Sequence, residues 1–293
     1  ENNITYKLSQ QPDLTITSPG GASMTTINVY PNTKYQTVYG IGTSLEESTV
    51  YNLMRMSSTV RDTCLKQLFT TQNNGINMNL ARVCIGSSDF TGRTFYTYDD
   101  GDPDPTLSRF SIQKDIDYNI INVLNQAKNL NPNLKFFGSP WSPPGWMKTS
   151  GSLIGGYIDW NSTPVYATYL RKFVQAYAAQ GITIDAMTIQ NEPQYSPPDY
   201  PGCLMTPENE AYLVKSLRTE LNNNGLSNVK LMVFDHNFDT ASSYVSSIFA
   251  DSAAQNATEG VAFHDYAGDP SAMTTVHNSY PSKNMYLTER TVW

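Results

Sequence analysis

Seven short apolar runs alternate with helix-length patterns from residue 38 onward, and this rhythm limits the fold more than any other feature. Strand-like segments fall at residues 38–42, 76–85, 134–140, 184–191, 229–235, 260–266 and 283–289. Helical patterns fall between them, at 46–70, 112–129, 165–180, 207–223, 241–251 and 270–279. Thr206 is a natural N-cap and Gly225 a natural stop for the helix at 207–223. Strands and helices in strict alternation imply parallel βαβ units. A doubly wound open sheet would carry a glycine-rich phosphate turn after its first strand. Gly40-Ile41-Gly42-Thr43-Ser44-Leu45 lacks the third glycine. The fold class is therefore α/β, a (β/α)8 TIM barrel over residues 36–293 that lacks its eighth unit in this chain. Residues 1–35 read differently. Segments 5–8, 14–16 and 26–29 alternate like short antiparallel strands, which need partner strands to form a stable sheet.

Charge excludes some partners. Nineteen Lys and Arg against 26 Asp and Glu leave a net charge of −7, and the longest basic run is Arg171-Lys172. Nucleic acid is not expected, because phosphate binding needs a basic footprint. No stretch approaches the 18 or so apolar residues of a membrane span. Cys64, Cys84 and Cys203 contain no CxxC pair, so they read as buried thiols in preference to a zinc site or a bridge. The polar surface is drawn from Asn, Ser, Thr, Gln and Tyr, with sequons at Asn3, Asn161 and Asn256. With an acidic pI near 4.9 and a start at Glu1 without an apolar leader, the chain reads as a secreted or extracellular protein in mature form.

Barrel enzymes keep their chemistry at the C-terminal ends of the strands. The residues there are Arg82, Asp89, Trp141, Asn191, Glu192, Asp235, His236, His264, Tyr266 and Glu289. Glu192 follows the fourth strand in Asn191-Glu192-Pro193, and Glu289 ends the seventh after Met285-Tyr286-Leu287-Thr288. Two carboxylates facing one substrate about 5 Å apart meet the need of retaining glycoside hydrolysis. A single strand-end Glu could equally be a solvated surface acid. Trp141, within Ser139-Pro140-Trp141-Ser142-Pro143-Pro144-Gly145-Trp146, is either a sugar-stacking ring or a core residue. Asp89 could accept sugar hydroxyls or simply form a turn. His236 and His264 share no ligand spacing, so neither a metal site nor a cofactor is expected. No Gly-x-Ser-x-Gly elbow supports a serine triad.

An ordered series of motifs makes the reading specific. Asn77-Met78-Asn79-Leu80-Ala81-Arg82-Val83, Ser88-Asp89-Phe90, Arg93-Thr94-Phe95-Tyr96-Thr97-Tyr98, Ser139-Pro140-Trp141, Trp146-Met147-Lys148-Thr149, Asn191-Glu192-Pro193, Phe263-His264-Asp265-Tyr266 and Thr288-Glu289 follow one another along the chain. Over about residues 35 to 293 the chain resembles glycoside hydrolase family 30, the family of glucosylceramidase and microbial β-1,6-glucanases. The resemblance implies Glu192 as acid/base and Glu289 as nucleophile. It implies Asn191 on the sugar 2-hydroxyl, Asp89 and Trp141 in the glucose subsite, and Arg82, His264 and Tyr266 as supports of the nucleophile and site wall. Asp265 stands where glucosylceramidase has an aromatic, which implies a more polar rim. The loop 195–201 and Asp235-His236-Asn237 look like the microbial members. Family members continue into an eighth strand and a β-sandwich side domain. Residues 1–35 resemble the first strands of that side domain, so a longer chain or a second polypeptide is expected to supply the rest.

The activity expected first is a glucosylceramidase-type β-glucosidase working by double displacement on a carbohydrate or glycolipid, which would also suit a lysosome-like compartment. β-1,6-Glucanase and β-xylosidase or xylanase activities are the alternatives within the family. A carbohydrate-binding relative without activity is the alternative outside catalysis.

Overall fold

Seven strands follow one another across a single parallel sheet in sequence order: β1 (Gly42–Ser44), β2 (Leu80–Cys84), β3 (Lys135–Ser139), β4 (Ile184–Thr188), β5 (Lys230–Asn237), β6 (Gly260–His264) and β7 (Asn284–Glu289). The computed structural model describes residues 12, 13, 15 and 26–291. Residues 40–290 form one compact unit. Helices fill every crossover. They are α1 (Glu47–Arg55), α2 (Ser58–Phe69), α3 (Gln113–Asp117), α4 (Ile120–Leu130), α5 (Thr163–Ala179), α6 (Pro207–Asn223), α7 (Ala241–Phe249), α8 (Ser252–Ala257) and α9 (Ser271–Ser279). A parallel sheet in strict sequence order with helices in each crossover is the wall of a (β/α) barrel. Among the described residues β1 and β7 are each paired on one side only, as in a barrel wanting one unit.

The sequence reading departs from this structure in four places. The first strand is Gly42–Ser44, not 38–42. Gly42 lies so close to β2 that a Cβ there would sit 1.7 Å from the Leu80 carbonyl oxygen. Pairing therefore starts at Gly42, opposite Leu80, while Ile41 stays exposed. The helix expected over 46–70 breaks at Met56 and restarts behind Ser57, whose Oγ accepts the Val60 N–H. The one expected over 112–129 breaks at Asn119, which takes a left-handed φ of 66°. Helix α6 starts behind Thr206, whose hydroxyl accepts the Asn209 N–H at 3.3 Å. Of the N-terminal strands, segment 26–29 carries no strand, and Leu14, Ile16 and segment 5–8 lie outside the described residues.

Alternation sorts the strand residues between two faces. Ala81, Val83, Phe136, Met187, Leu231, Val233, Val261 and Phe263 join the helices in the main apolar core. A second apolar cluster of Phe137, Ala186, Met232 and Ala262, with Leu80 and Tyr286 against it, lies on the concave face. Two residues further along the strands the same face turns polar, with Arg82, Ser139, Thr188, His264 and Thr288. The apolar layer is the floor on which the polar layer stands. Cys84 and Cys203 are buried, Cys64 is half-buried, and all three are free thiols.

One polar cluster belongs to the core itself. Asp115 of α3 is 1% exposed and accepts the hydroxyls of Tyr96, Tyr98 and Tyr177, each at 2.6 Å. Burial pushes its pKa up and the three phenols hold it down. Asp115→Ala would strand three buried phenols at once. It is expected to cost about 3–5 kcal/mol, read as a fall in the urea midpoint of unfolding.

Candidate active site

The polar layer converges on Asp235, which has no exposure. It stands in β5 where the pairing with β6 skips a residue, from Phe234–Ala262 to His236–Phe263. Its Oδ2 accepts Ser139 Oγ at 2.8 Å and Arg82 Nη2 at 3.3 Å. Its Oδ1 accepts Thr288 Oγ1 at 2.6 Å and lies 3.1 Å from His264 Nε2. Burial opposes its charge, but Arg82 and His264 outweigh burial and hold the Asp235 carboxyl far below the usual range.

Arg82 projects from β2 and spreads its donors over four strand ends. Nη2 also reaches Asn191 Oδ1 at 2.8 Å and Ser139 Oγ at 3.0 Å, while Nη1 pairs with Glu289 Oε2. Its guanidinium carbon lies 4.7 Å from the Trp141 ring centre, so one face of that ring is covered by the cation. Trp141 is 4% exposed. The Trp141 ring therefore packs into the site wall against Arg82, whichever part of it a sugar meets. Asn191 is anchored through its backbone N–H on the Pro140 carbonyl at 2.8 Å.

Glu289 closes β7 with both oxygens engaged. Oε2 meets Arg82, and Oε1 accepts the Tyr266 hydroxyl at 2.9 Å. Burial works against its charge, yet Arg82 and His264 bring its pKa below the ordinary glutamate value. Glu192 follows β4 with a left-handed φ of 47°, and its N–H donates to the Asp235 carbonyl at 3.0 Å. Its Oε1 lies 3.1 Å from His264 Nδ1. His264 thus sits between two carboxylates, and an imidazolium donates to both. Burial alone would lower its pKa, but Asp235 and Glu192 carry it up to about 9.

The expected pair does come together. Oxygens of Glu192 and Glu289 and a nitrogen of His264 all lie within 4.8 Å of one another. Three such groups could hold a metal. Here Arg82 already pairs with Glu289 and His264 with Glu192, so each of these carboxylates has a partner within the protein. Asp89 lies half-buried after β2 with Oδ1 unpartnered, and burial followed by the charges of Glu289 and Glu46 pushes its pKa up to about 6.

Two participants escape the sequence reading of the site. Asp235 appears there only as a strand-end residue and as part of a stretch that looks like the microbial members. Its signal was the position itself, at the end of an apolar strand. Glu46 stands two residues after β1 and accepts Ser88 Oγ at 3.0 Å. Burial pushes its pKa up, and the charges of Arg82 and Glu289 also reach it. In the sequence it is the first residue of the helical pattern at 46–70.

A carboxylate pair at the mouth of a β/α barrel, one acid clamped by a guanidinium and the other against an imidazole, is the equipment of a glycosidase. The chain belongs to glycosyl hydrolase family 30, whose TIM-barrel domain matches residues 38–292. It is 36% identical to the endo-1,6-β-D-glucanase of Neurospora crassa over 97% of this chain and 60% of that protein. It is 30% identical to the lysosomal acid glucosylceramidase of Mus musculus over 91% of this chain and 54% of that protein. A solved structure of an endo-β1,6-glucanase superposes with a TM-score of 0.83 at 32% identity, covering 90% of this chain and 60% of that one. The chain thus spans little more than half the length of these relatives.

The raised pKa of His264 carries a consequence for stability. The group binds its proton more tightly folded than unfolded, from an ordinary 6.5 up to about 9. The stabilisation is complete below the unfolded value and disappears as pH rises through the folded one. Between about pH 6 and about pH 9.5 this group should account for on the order of 3 kcal/mol of the change in urea unfolding, and His264→Gln should remove that share.

Proposed function

We propose that this domain is the catalytic barrel of a retaining endo-β-1,6-glucanase. The observation that carries the reading is the approach of Glu192 and Glu289 to within 4.8 Å at the ends of β4 and β7. Retention needs carboxyls about 5–5.5 Å apart, whereas inversion leaves room for a water between them. The glucanase assignment draws on the 36% identity to the Neurospora enzyme against 30% to the mouse glucosylceramidase. It replaces the glucosylceramidase-type activity that the sequence reading put first. The acidic Asp265 on the rim, 39% exposed at its side chain, suits a glucan better than a lipid tail.

In the first displacement a Glu289 oxygen attacks the anomeric carbon while Glu192 gives its proton to the departing glycosidic oxygen. In the second, Glu192 takes a proton from water, whose oxygen attacks the anomeric carbon and releases Glu289. Arg82 and Tyr266 aim the nucleophile and keep it ionised. His264 orients Glu192 from the buried side. Asn191, turned by Arg82, accepts or donates at the sugar 2-hydroxyl. Asp89 and Trp141 line the glucose subsite. A secreted location suits the low charge and polar surface. Among the described residues no helix is long and apolar enough to cross a membrane.

Side-by-side hydrolysis of β-1,6-glucan, glucosylceramide, aryl β-glucoside and aryl β-xyloside tests the assignment. Oligosaccharides released from β-1,6-glucan are expected. Turnover of glucosylceramide with none of the glucan would overturn it.

Variants test the roles. Glu289→Gln should lower turnover by at least about a thousandfold. Glu192→Gln should slow glucan hydrolysis by about 10²–10⁴, while glycosylation by aryl glucosides with good leaving groups is spared. Azide should then restore turnover of those aryl substrates. Equal losses on activated and unactivated substrates would contradict Glu192 as the acid. The pH profile should be bell-shaped. Its acid limb falls as Glu289 gains its proton, and Arg82 places that limb below the ordinary glutamate value.

A further inference from the structure

Strand β5 reaches the active site by breaking its own alternation. Met232 faces the concave side with Phe137, Ala186 and Ala262. A regular strand would send Phe234 to that side two residues later. Instead Phe234 and Asp235 adopt φ values of 79° and 51°, and Asp235 becomes the extra residue between two registers. Phe234 packs into the helix-side core, its ring 5.6 Å from Tyr244 and 5.9 Å from Phe263. Asp235 turns inward in its place. Bulges of this kind re-aim side chains beside active sites. Two consecutive left-handed residues, neither of them glycine, persist only where the surroundings hold them.

Glu210 of α6 supplies the hold. It has no exposure, and its Oε1 accepts the Phe234 N–H at 2.8 Å. Its Oε2 has no hydrogen-bond partner. The ionisable groups bearing on it are Asp235 from β5 and Tyr244 from α7, whose hydroxyl donates to the Met205 carbonyl at 2.6 Å. A buried carboxylate with one bare oxygen favours its neutral form. Burial, softened by the Phe234 N–H and Tyr244, pushes the pKa of Glu210 up to about 8.

We propose that Glu210 is a positioning residue of the active site, which pins the Phe234–Asp235 bulge from the helix side. The pinned bulge presents the Asp235 carboxyl to Arg82 and His264, and the Asp235 carbonyl to the Glu192 N–H at 3.0 Å. One acceptor on α6 thereby bears on both members of the pair. The inference rests on Glu192 and Glu289 being the catalytic carboxylates.

Three variants and two readouts test it. Glu210→Gln keeps an amide-accepting oxygen at the same reach and should retain kcat on β-1,6-glucan within about threefold. Glu210→Leu keeps bulk without an acceptor, and should lose about 100-fold in kcat with KM little changed, the scale of a reacting group displaced by about 1 Å. Glu210→Asp withdraws the acceptor by one carbon, and should lose about tenfold in kcat if Glu210→Leu does not fold. Hydrogen exchange of the Phe234 amide reads the bulge without any substrate. It should be slow in the wild type and Glu210→Gln, and fast in Glu210→Leu and Glu210→Asp. A merely structural Glu210 would lower thermal stability in every variant while the folded fraction kept its full kcat, and that result overturns the proposal. So does fast Phe234 exchange in the wild type. A wild type inactive on every glucoside, but with the expected exchange pattern, would defeat the glycosidase reading and leave the pinned bulge standing.

Discussion

The site depends on one buried cation, Arg82, 5% exposed and shared between two carboxylates. Taking a guanidinium and an aspartate out of water costs several kcal/mol per ion, recovered only where the geometry satisfies every donor and lone pair. The geometry here does most of that. Asp235 collects Ser139, Thr288, Arg82 and His264, two partners per oxygen. Arg82 serves Glu289 with one terminal nitrogen and Ser139, Asn191 and Asp235 with the other, and lays its plane near Trp141. A lysine has one nitrogen at the end of a flexible stem and could not fill these directions together.

The floor of the curled sheet carries one register shift, between β3 and β4 at Phe136 and Phe137, and its mouth carries more. Strand pairings jump between β5 and β6 and again between β6 and β7, and Glu192, Phe234 and Asp235 all carry positive φ. Each such residue costs on the order of 1–3 kcal/mol unless its surroundings compensate. The irregularities do one job. Period-2 alternation delivers Arg82, Ser139, Thr188 and His264 to the concave face without help. The shift between β6 and β7 brings Thr288 and Glu289 to bear on the same site, one on Asp235 and one on Arg82. Three of the seven described non-glycine residues with positive φ stand where the chemistry is proposed, above a floor of apolar packing.

The residues that announce themselves in the sequence are those whose local pattern matches their place in space. Strands β2 to β7 are legible because a parallel sheet buried on both faces demands continuous apolar runs, whereas β1 is the short polar Gly42–Ser44. Glu192 and Glu289 are legible because each ends such a run. Asp235 is not, because its inward turn depends on a bulge, and a bulge is decided by Glu210 and the Phe234 ring, far from it in sequence or hidden by alternation. Glu46 merges into the helical pattern of α1, since only β1 starting at Gly42 puts it at a strand end. The breaks at Met56 and Asn119 follow the same logic. Each interrupts an apolar period that composition alone continues, and tertiary packing chooses where the helix restarts.

Two chemically identical side chains stand here in different surroundings. Glu289 faces a permanent cation and a phenol, both of which favour the carboxylate. Glu192 faces an imidazole whose own charge is held by Asp235 from the far side. Asp235 therefore acts on both glutamates at once, through Arg82 in one direction and His264 in the other, without touching either side chain. Its backbone carbonyl, receiving the Glu192 N–H, ties the position of one glutamate to the charge of the other. Energies in such a network do not add, because each group's charge is the reason for its neighbour's. The proposed acid/base and nucleophile are on this account one coupled unit, and the buried aspartate at its centre holds the two cations that face them while reacting with nothing.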